Sequence, residues 1–484
     1  MNLPGSGRYR HYTFATFVGP GIALMLTGCA SFSPDAGMGP VATRISATIG
    51  GEARKISSEQ TARSAQARVD QLLTRPLSAS SAVQIALLNN RGLQAEYNEL
   101  GLSEVAYVEA SLPPNPVFSL ERIASANALD IERRIIGNLL ALLTLPSRKE
   151  IARREFEAAK YRAIGATFRL ATETRKAFYE AVAARQLVSL LERARTSADA
   201  AAELTIKLGE TGAATTLAQA RASAFYAELS TQLAQARLQA TVKREELIRL
   251  LGLWGGDSNF KLPSSLPKLP ARLRTPLQVE ADAIRNRVDL VEGRIRLAAL
   301  AKSLGLTQAT RFVSMAELAG IFAHEHETTE EGDKEKASPK GFELALEIPI
   351  FDLGETKTRR AAETYMQAVN RLAERAVNAR SEVRSAYATY RASFEIARQY
   401  RNKILPLRKT IDDQSILEYN GMLIDVIELL TTLRESIESN VAAVEAARDF
   451  FVAQSQFEAV LIGGSESGGA EEAPTIAVSA ESSE

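Results

Sequence analysis

The chain has 484 residues, 45% of them apolar and 24% charged, so it holds material for a large core and is not disordered as a whole. Lys+Arg and Asp+Glu each number 58, which leaves no basic excess to drive nucleic-acid binding through counterion release. One cysteine and three histidines exclude a disulfide framework and leave little for a metal centre.

Residues 1–28 carry Arg8, Arg10 and His11 but no acidic residue, and a mostly apolar stretch runs from Tyr12 to Leu26. That is the layout of a secretory signal peptide, too short and too interrupted by Gly and Pro for a transmembrane helix. It ends Leu26-Thr27-Gly28-Cys29, which matches the bacterial lipobox, whose cysteine is acylated with palmitate-type chains and becomes the new N-terminus. Cys29 is therefore expected as a lipid attachment point, neither a redox group nor a ligand. Ala30 follows it rather than Asp, which points to the outer membrane. Residues 29–76 are expected as a lipidated N-terminal linker.

Prolines punctuate the rest of the chain. None lies between Pro146 and Pro263, between Pro349 and Pro406, or between Pro406 and Pro474, and Ala, Leu, Glu, Arg and Gln fill the gaps. Such gaps permit very long helices, and residues 148–208 are expected to form one. A stripe of Leu430, Leu433, Ile437, Val441, Val444 and Phe451 steps mainly by three and four, as in coiled-coil packing.

Four β-prone stretches lie between the helices: Val117 to Ile123, about Ile131 to Leu145, Thr307 to Phe322, and Phe342 to Ile350. In the last, Phe342, Leu344, Leu346, Ile348 and Ile350 share one face and Glu343, Ala345 and Glu347 the other. This alternation fits a barrel strand between lipid and water, with a half-buried strand of a soluble sheet as the alternative. Four strands cannot close a barrel, and open edges are not tolerated in lipid, so a membrane-spanning reading requires oligomerisation.

The order of elements occurs twice. Leu88-Asn89-Asn90-Arg91-Gly92-Leu93 aligns with Arg285-Asn286-Arg287-Val288-Asp289-Leu290 at an offset of 197, and Arg175-Lys176-Ala177-Phe178 aligns with Arg384-Ser385-Ala386-Tyr387 at an offset of 209. Gly212 aligns with Gly421 at that second offset. The expected division is a first repeat over 77–252, an inter-repeat linker over 253–275 and a second repeat over 276–462. Residues 463–484, with five Glu and no Lys or Arg, read as a disordered acidic tail.

The chain resembles the TolC-type outer-membrane efflux proteins, in particular the lipidated outer-membrane factors of tripartite drug and heavy-metal exporters. Ala86-Leu87-Leu88-Asn89-Asn90-Arg91-Gly92-Leu93-Gln94 and Leu112-Pro113-Pro114-Asn115-Pro116 carry the resemblance in the first half, with Leu142-Leu143-Thr144-Leu145-Pro146 before the first hairpin. Pro349-Ile350-Phe351-Asp352-Leu353-Gly354 and Gly421-Met422-Leu423-Ile424-Asp425-Val426 carry it in the second. The implied fold is mainly α with a β-barrel part: two repeats of long helical hairpins plus strand pairs. A homotrimer would form a twelve-stranded barrel in outer-membrane lipid on a periplasmic helical tube. The implied function is a passive duct fed by an inner-membrane pump through a periplasmic adaptor, with no chemistry and no cofactor of its own. The resemblance does not name the cargo.

The family closes its tube at the hairpin tips, where Gly209, Gly212 and Gly421 are expected as turns. Asp425 and Glu428 fall where the family places acidic residues at that constriction, and three copies would ring the pore with carboxylates that favour cations. The same pair is close to a capping box, and Thr216-Leu217-Ala218-Gln219 is a full one at the equivalent place in the first half, so gate and cap both stand as readings. His324 and His326, within Ala323-His324-Glu325-His326-Glu327, are expected in a solvated extracellular loop between barrel strands rather than at a metal site, with weak zinc or copper binding by the alternating His and Glu as the alternative. The alternative function is a non-channel periplasmic coiled-coil lipoprotein or an adaptor subunit, though neither calls for duplicated strand pairs. No Ser-His-Asp set, phosphate-binding loop or dinucleotide fingerprint argues for an enzyme.

Overall fold

A computed structural model describes residues 31–125, 128–273, 279–328 and 334–464. The signal segment, the lipobox Leu26, Thr27 and Gly28, the attachment residue Cys29 and nearly all of the acidic tail lie outside the described residues. The chain divides into two compact units. One comprises residues up to 34, 104–153 and 305–358, and the other residues 35–103, 154–304 and 359 onward.

The second unit holds most of the helical residues, and some of the helices run on into the first. The segment expected as a plain linker carries two helices, α1 (Met38–Ile49) and α2 (Glu59–Leu73). Then follow α3 (Ala79–Asn89) and α4 (Arg91–Ser111). Ser58 and Ser78 start α2 and α3 with reciprocal side-chain caps to Thr61 and Ser81, which satisfy N–H groups that a helix start leaves orphaned. The first hairpin is α5 (Leu139–Glu210) and α6 (Thr216–Leu251). After α7 (Val279–Asn286) and α8 (Val288–Ala309), the second hairpin runs from α9 (Glu355–Gln399) through a π-helical turn at Tyr400–Ile404 into α10 (Leu405–Asn420), and returns as α11 (Val426–Ile462).

The π turn has a local cause. Pro406 has no N–H to continue the i→i−4 ladder, and the Leu405 N–H donates to the Tyr400 carbonyl five residues back. The widened turn also presents Arg401, whose guanidinium donates to the Leu269 carbonyl at 3.2 Å. The inter-repeat segment is laid along the helices in the same manner elsewhere. Gln186 accepts from the Leu266 N–H at 2.9 Å, and Arg244 donates to the carbonyls of Ser258 and Phe260, both at 2.8 Å.

The expected stripe on α11 is the seam of this unit. Leu430 and Ile437 are buried with Leu191, Ala198, Phe225 and Leu229 of the first hairpin, and Leu433 and Val441 pack at the margin. The small alanines on α5 let the helices approach closely. Further along, Tyr390, Phe394, Phe450, Phe451 and Phe457 gather into one aromatic cluster, with Tyr390 stacked on Phe457 at 5.2 Å.

The duplication is visible at each repeat's junction. α3 and α4 are separated by Asn90, and α7 and α8 by Arg287, 197 positions later. Each junction is closed by the helix that ends its own repeat. α6 stops at Gly252 (φ 67°), where a Cβ would lie 2.7 Å from the Asn89 carbonyl oxygen. α11 stops at Gly463 (φ 82°), where a Cβ would lie 2.7 Å from Asp289 Oδ1. Both sites need the positive φ and the missing side chain together. In the first repeat the contact is amide to carbonyl, with Asn89 Nδ2 donating to the Gly252 carbonyl at 2.7 Å and Asn90 Nδ2 to the Leu250 carbonyl at 3.0 Å. In the second, Arg287 is fully buried and bonds Asp289 and Glu382 at 2.8 Å each.

The first unit holds an antiparallel sheet of β1 (Val117–Ala124), β2 (Ala128–Asn138), β3 (Met315–Thr328), β4 (Lys334–Ala337) and β5 (Lys340–Glu347). The order is β1-β2-β3, with β4 and then β5 pairing successive parts of β3. Pro339 interrupts that last edge, since it cannot donate, although its carbonyl still accepts from the Ala323 N–H at 3.0 Å.

Three expected boundaries are corrected. The second strand ends at Asn138 rather than Leu145. The Asn138 side chain accepts from the Ala141 N–H at 2.8 Å and caps α5, so Leu139 to Leu145 are helical and the helix runs on through Pro146. The third strand spans Met315–Thr328 rather than Thr307 to Phe322, because α8 continues to Ala309. The last strand stops at Glu347, before Pro349.

Candidate functional site

The sheet has two chemically opposite faces. Cross-strand partners share a face, so the register sorts the side chains. Phe118 opposes Ile135, which opposes Gly320, which opposes Phe342; Leu318 opposes Leu344, and Ala316 opposes Leu346. Of these, Phe118, Ile135, Leu318, Phe342, Leu344 and Leu346 look outward without cover, with Phe118 73% and Phe342 81% exposed, whereas Ala316 is buried. A contiguous exposed apolar surface of this kind marks contact with lipid or a partner.

The other face is acidic. It carries Glu121 from β1, Asp130 and Glu132 from β2, Glu317, Glu325 and Glu327 from β3, and Glu343 and Glu347 from β5. Its one base among the described residues, Arg134, pairs with Glu132 and lies 3.7 Å from Glu343. Among the described residues the sheet is open on both sides, since β1 and β5 are each paired along one edge only. β1 and β5 run in opposite directions, because three antiparallel pairings separate them. The chain enters and leaves the sheet through helices at one end, and both hairpins lie at the other.

His324 and His326 lie within β3, not in a loop. The strand runs longer than expected because it pairs β2 from Asn138 to Ala128 and then β4. Their rings are 5.3 Å apart on the face that carries Phe342, and His324 Nδ1 is 2.6 Å from Ser338 Oγ. No group of three or more His, Cys, Asp or Glu residues suited to a metal occurs among the described residues.

The two hairpin tips share a pair of equivalent hydrogen bonds. In the first, Gly212 N donates to the Gly209 carbonyl at 3.0 Å and Ala213 N to the Leu208 carbonyl at 2.8 Å. In the second, Met422 N donates to the Tyr419 carbonyl at 3.0 Å and Leu423 N to the Glu418 carbonyl at 2.8 Å. The equivalent of Gly212 is therefore Met422 rather than Gly421, and both residues are left-handed, at φ 76° and 59°. Gly421 (φ −80°) caps α10, and Gly209 belongs to the last turn of α5.

The return helices are capped at equivalent positions. Thr215, not Thr216, caps α6 by accepting from the Ala218 N–H at 3.1 Å. Asp425 caps α11, its Oδ1 accepting from the Glu428 N–H at 2.9 Å. Asp425 and Glu428 thus share the first turn, with both side chains exposed. Met422 is 93% exposed and Leu423 78%, so the second tip ends in an uncovered apolar pair. The seam beneath is tied by Arg434, which reaches Glu228 of α6 at 2.5 Å, and by Ser436, which donates to Asp412 of α10 at 2.6 Å.

Buried ionisable groups mark the helical unit as well. Desolvation works against the charge of Arg287, but hydrogen bonds and attraction from Asp289 and Glu382 outweigh it and raise the pKa. Burial raises the Glu155 carboxyl, opposed by Arg296 and Arg162. Burial pushes the Tyr97 phenol up to about 12, against its hydrogen bond with Thr167 at 3.0 Å.

No family model and no curated protein matches the chain. Solved structures do. CusC, described with transmembrane channel formation, superposes with a TM-score of 0.65 at 17% identity, over 80% of this chain and 92% of that one. The outer-membrane channel OprN gives 0.67 at 18% identity, over 82% and 90%. The CmeC outer membrane channel of Campylobacter jejuni gives 0.68 at 17% identity, over 80% and 86%. The likeness expected from the sequence therefore holds for the fold: mainly helical with a small antiparallel sheet, as in the TolC-type outer-membrane channels.

Proposed function

We propose that three copies of the chain form an outer-membrane channel, the exit duct of a tripartite efflux system fed by a periplasmic adaptor and an inner-membrane pump. The observation that carries this reading is the sheet: apolar on one face, acidic on the other, open at both edges. An apolar face without cover is suited to hydrocarbon, and an acidic face to a water-filled lumen. Open edges are costly in lipid and must be satisfied. β1 and β5 run in opposite directions, so the β5 edge of one copy can pair antiparallel with β1 of the next. With β4 and β5 counted as one interrupted strand along the edge of β3, three such joins close twelve strands. The helical hairpins would then extend into the periplasm, and Cys29 would tether each chain to the membrane through its acyl groups.

The duct performs no chemistry of its own. A lumen with carboxylates as its dominant charge raises the local concentration of cations. At the hairpin tips, Asp425 and Glu428 from three copies would form a second acidic ring, a gate built on the residue that also caps α11. The exposed pair Met422 and Leu423 is the part of the tip suited to an adaptor, being apolar and presented on a fixed turn. Fractionation and unheated gel electrophoresis test the assembly: the outer-membrane fraction should hold a detergent-resistant species of three chains that falls to one on boiling. A monomer in the soluble periplasmic fraction would refute it. Susceptibility of a deletion strain across metals and drugs then identifies the cargo.

A further inference from the structure

The apolar face of the sheet changes character along the strands. Near the helix-connected end its cross-strand rows hold only apolar residues and Gly137 and Gly320. Toward the hairpin end, Arg133 and Lys340 flank Phe322 in one row. Arg122 and His324 flank Ile131 in the next, and His326 stands beside Lys336 in the one beyond. At about 3.3 Å per residue these rows cover roughly 13 Å along the strands. No carboxylate occupies this face in any of them. Arg122, Arg133, Lys336 and Lys340 are exposed and make no ion pair or hydrogen bond among the described residues. Arg134, on the opposite face, is held by Glu132 and Glu343. Unpaired cations are thus confined to one end of the one face that is otherwise apolar.

Basic side chains facing lipid are costly at the bilayer midplane and nearly free at its surface. Their position therefore sets the hairpin end of the sheet at headgroup depth. What lies at that depth and complements an array of guanidinium, ammonium and imidazole donors is phosphate, which arginine binds in bidentate fashion and lysine as a point charge. We propose that Arg122, Arg133, Lys336 and Lys340, with His324 and His326 between them, form a binding band for the phosphates of lipid headgroups in the leaflet the hairpins reach. This rests on the channel reading, which places the apolar face in lipid. Repetition in each copy would continue the band around the barrel.

The test uses the full-length protein in neutral detergent and the variant R122Q/R133Q/K336Q/K340Q. Both are titrated with bis-phosphorylated lipid A, with the dephosphorylated lipid, and with inorganic phosphate, and both are inserted into neutral phosphatidylcholine bilayers. The wild-type protein should bind the phosphorylated lipid roughly tenfold or more tightly than the dephosphorylated one, and the variant should lose that preference. Equal wild-type affinity for the two lipids, or a preference kept by the variant, would overturn the proposal. Competition by inorganic phosphate at the lipid's own concentration would overturn it too, by making the site one for free anions. Conductance in the neutral bilayers reads the channel independently: steps from both proteins without lipid preference leave the channel standing and remove the band.

Discussion

Asp425 allows cap and charge to be separated. Its Oδ1 accepts the Glu428 N–H at 2.9 Å at the head of the 37-residue α11, and the side chain is exposed. Loss of an N-cap acceptor costs about 1 kcal/mol of helix stability, and Asn caps nearly as well as Asp. Asp425→Ala therefore removes both functions, whereas Asp425→Asn keeps the acceptor and forfeits the charge–dipole contribution of about 0.3–1 kcal/mol. In the assembled channel each variant withdraws one carboxylate per copy from the tip, and either one combined with Glu428→Gln withdraws two. At about 0.1 M salt the screening length is about 10 Å and at 1 M about 3 Å, so an electrostatic effect on current must shrink between them. We expect Asn and Ala to raise single-channel conductance by the same factor at low salt, with the gain largely lost at 1 M, while only Ala clearly lowers the thermal midpoint. If Asn conducts like wild type while Ala conducts more, the tip opens through the lost cap and not through charge. If neither changes conductance, the carboxylates do not line the constriction.

Three further outcomes concern the helical unit. Arg287→Met leaves Asp289 and Glu382 without their shared cation; both are partly exposed, so the cost should sit near the lower end for a broken buried pair, about 3 kcal/mol, read as a lower denaturation midpoint, and an unchanged midpoint would refute the role assigned to it. Tyr97 has a folded-state pKa of about 12 against about 10 unfolded, so its neutral form contributes stability that is complete below pH 10 and lost between pH 10 and 12. Alkaline melts should show a drop of about 2–3 kcal/mol across that window which Tyr97→Phe removes; identical pH profiles for the two proteins would contradict the assignment. Met422→Gly should stabilise the second hairpin by about 0.5–1 kcal/mol, because a non-glycine residue at φ 59° is strained and this exposed side chain packs little, and a lower midpoint would argue against that.

Much of the fold was legible in the sequence because some signals are local. The offset between Asn89-Asn90-Arg91 and Asn286-Arg287-Val288 marks the same helix break in each repeat. The stripe from Leu430 to Phe451 is the helical seam, because its spacing admits one buried face. Boundaries were harder. Leu139 to Leu145 is an apolar run of a length that suits strand or helix alike, and the Asn138 cap, one hydrogen bond, decides it. Thr215 and Thr216 are both competent caps, and turn geometry selects the first. The left-handed residue of the second tip is hidden in the sequence because it is Met422, where a glycine stands one position earlier. The two-faced charge of the sheet needed the register, since Asp130, Glu325 and Glu343 lie far apart in sequence and meet on one face only through pairing.

The channel itself is tested most directly by single-channel current across a planar bilayer in a salt gradient, using the purified full-length protein. Discrete conductance steps are expected from a three-chain species, with a reversal potential that favours cations and moves toward zero when Glu132, Glu317 and Glu343 on the acidic face are changed to Gln. A folded protein that yields no steps, or steps that favour anions, would contradict the channel reading.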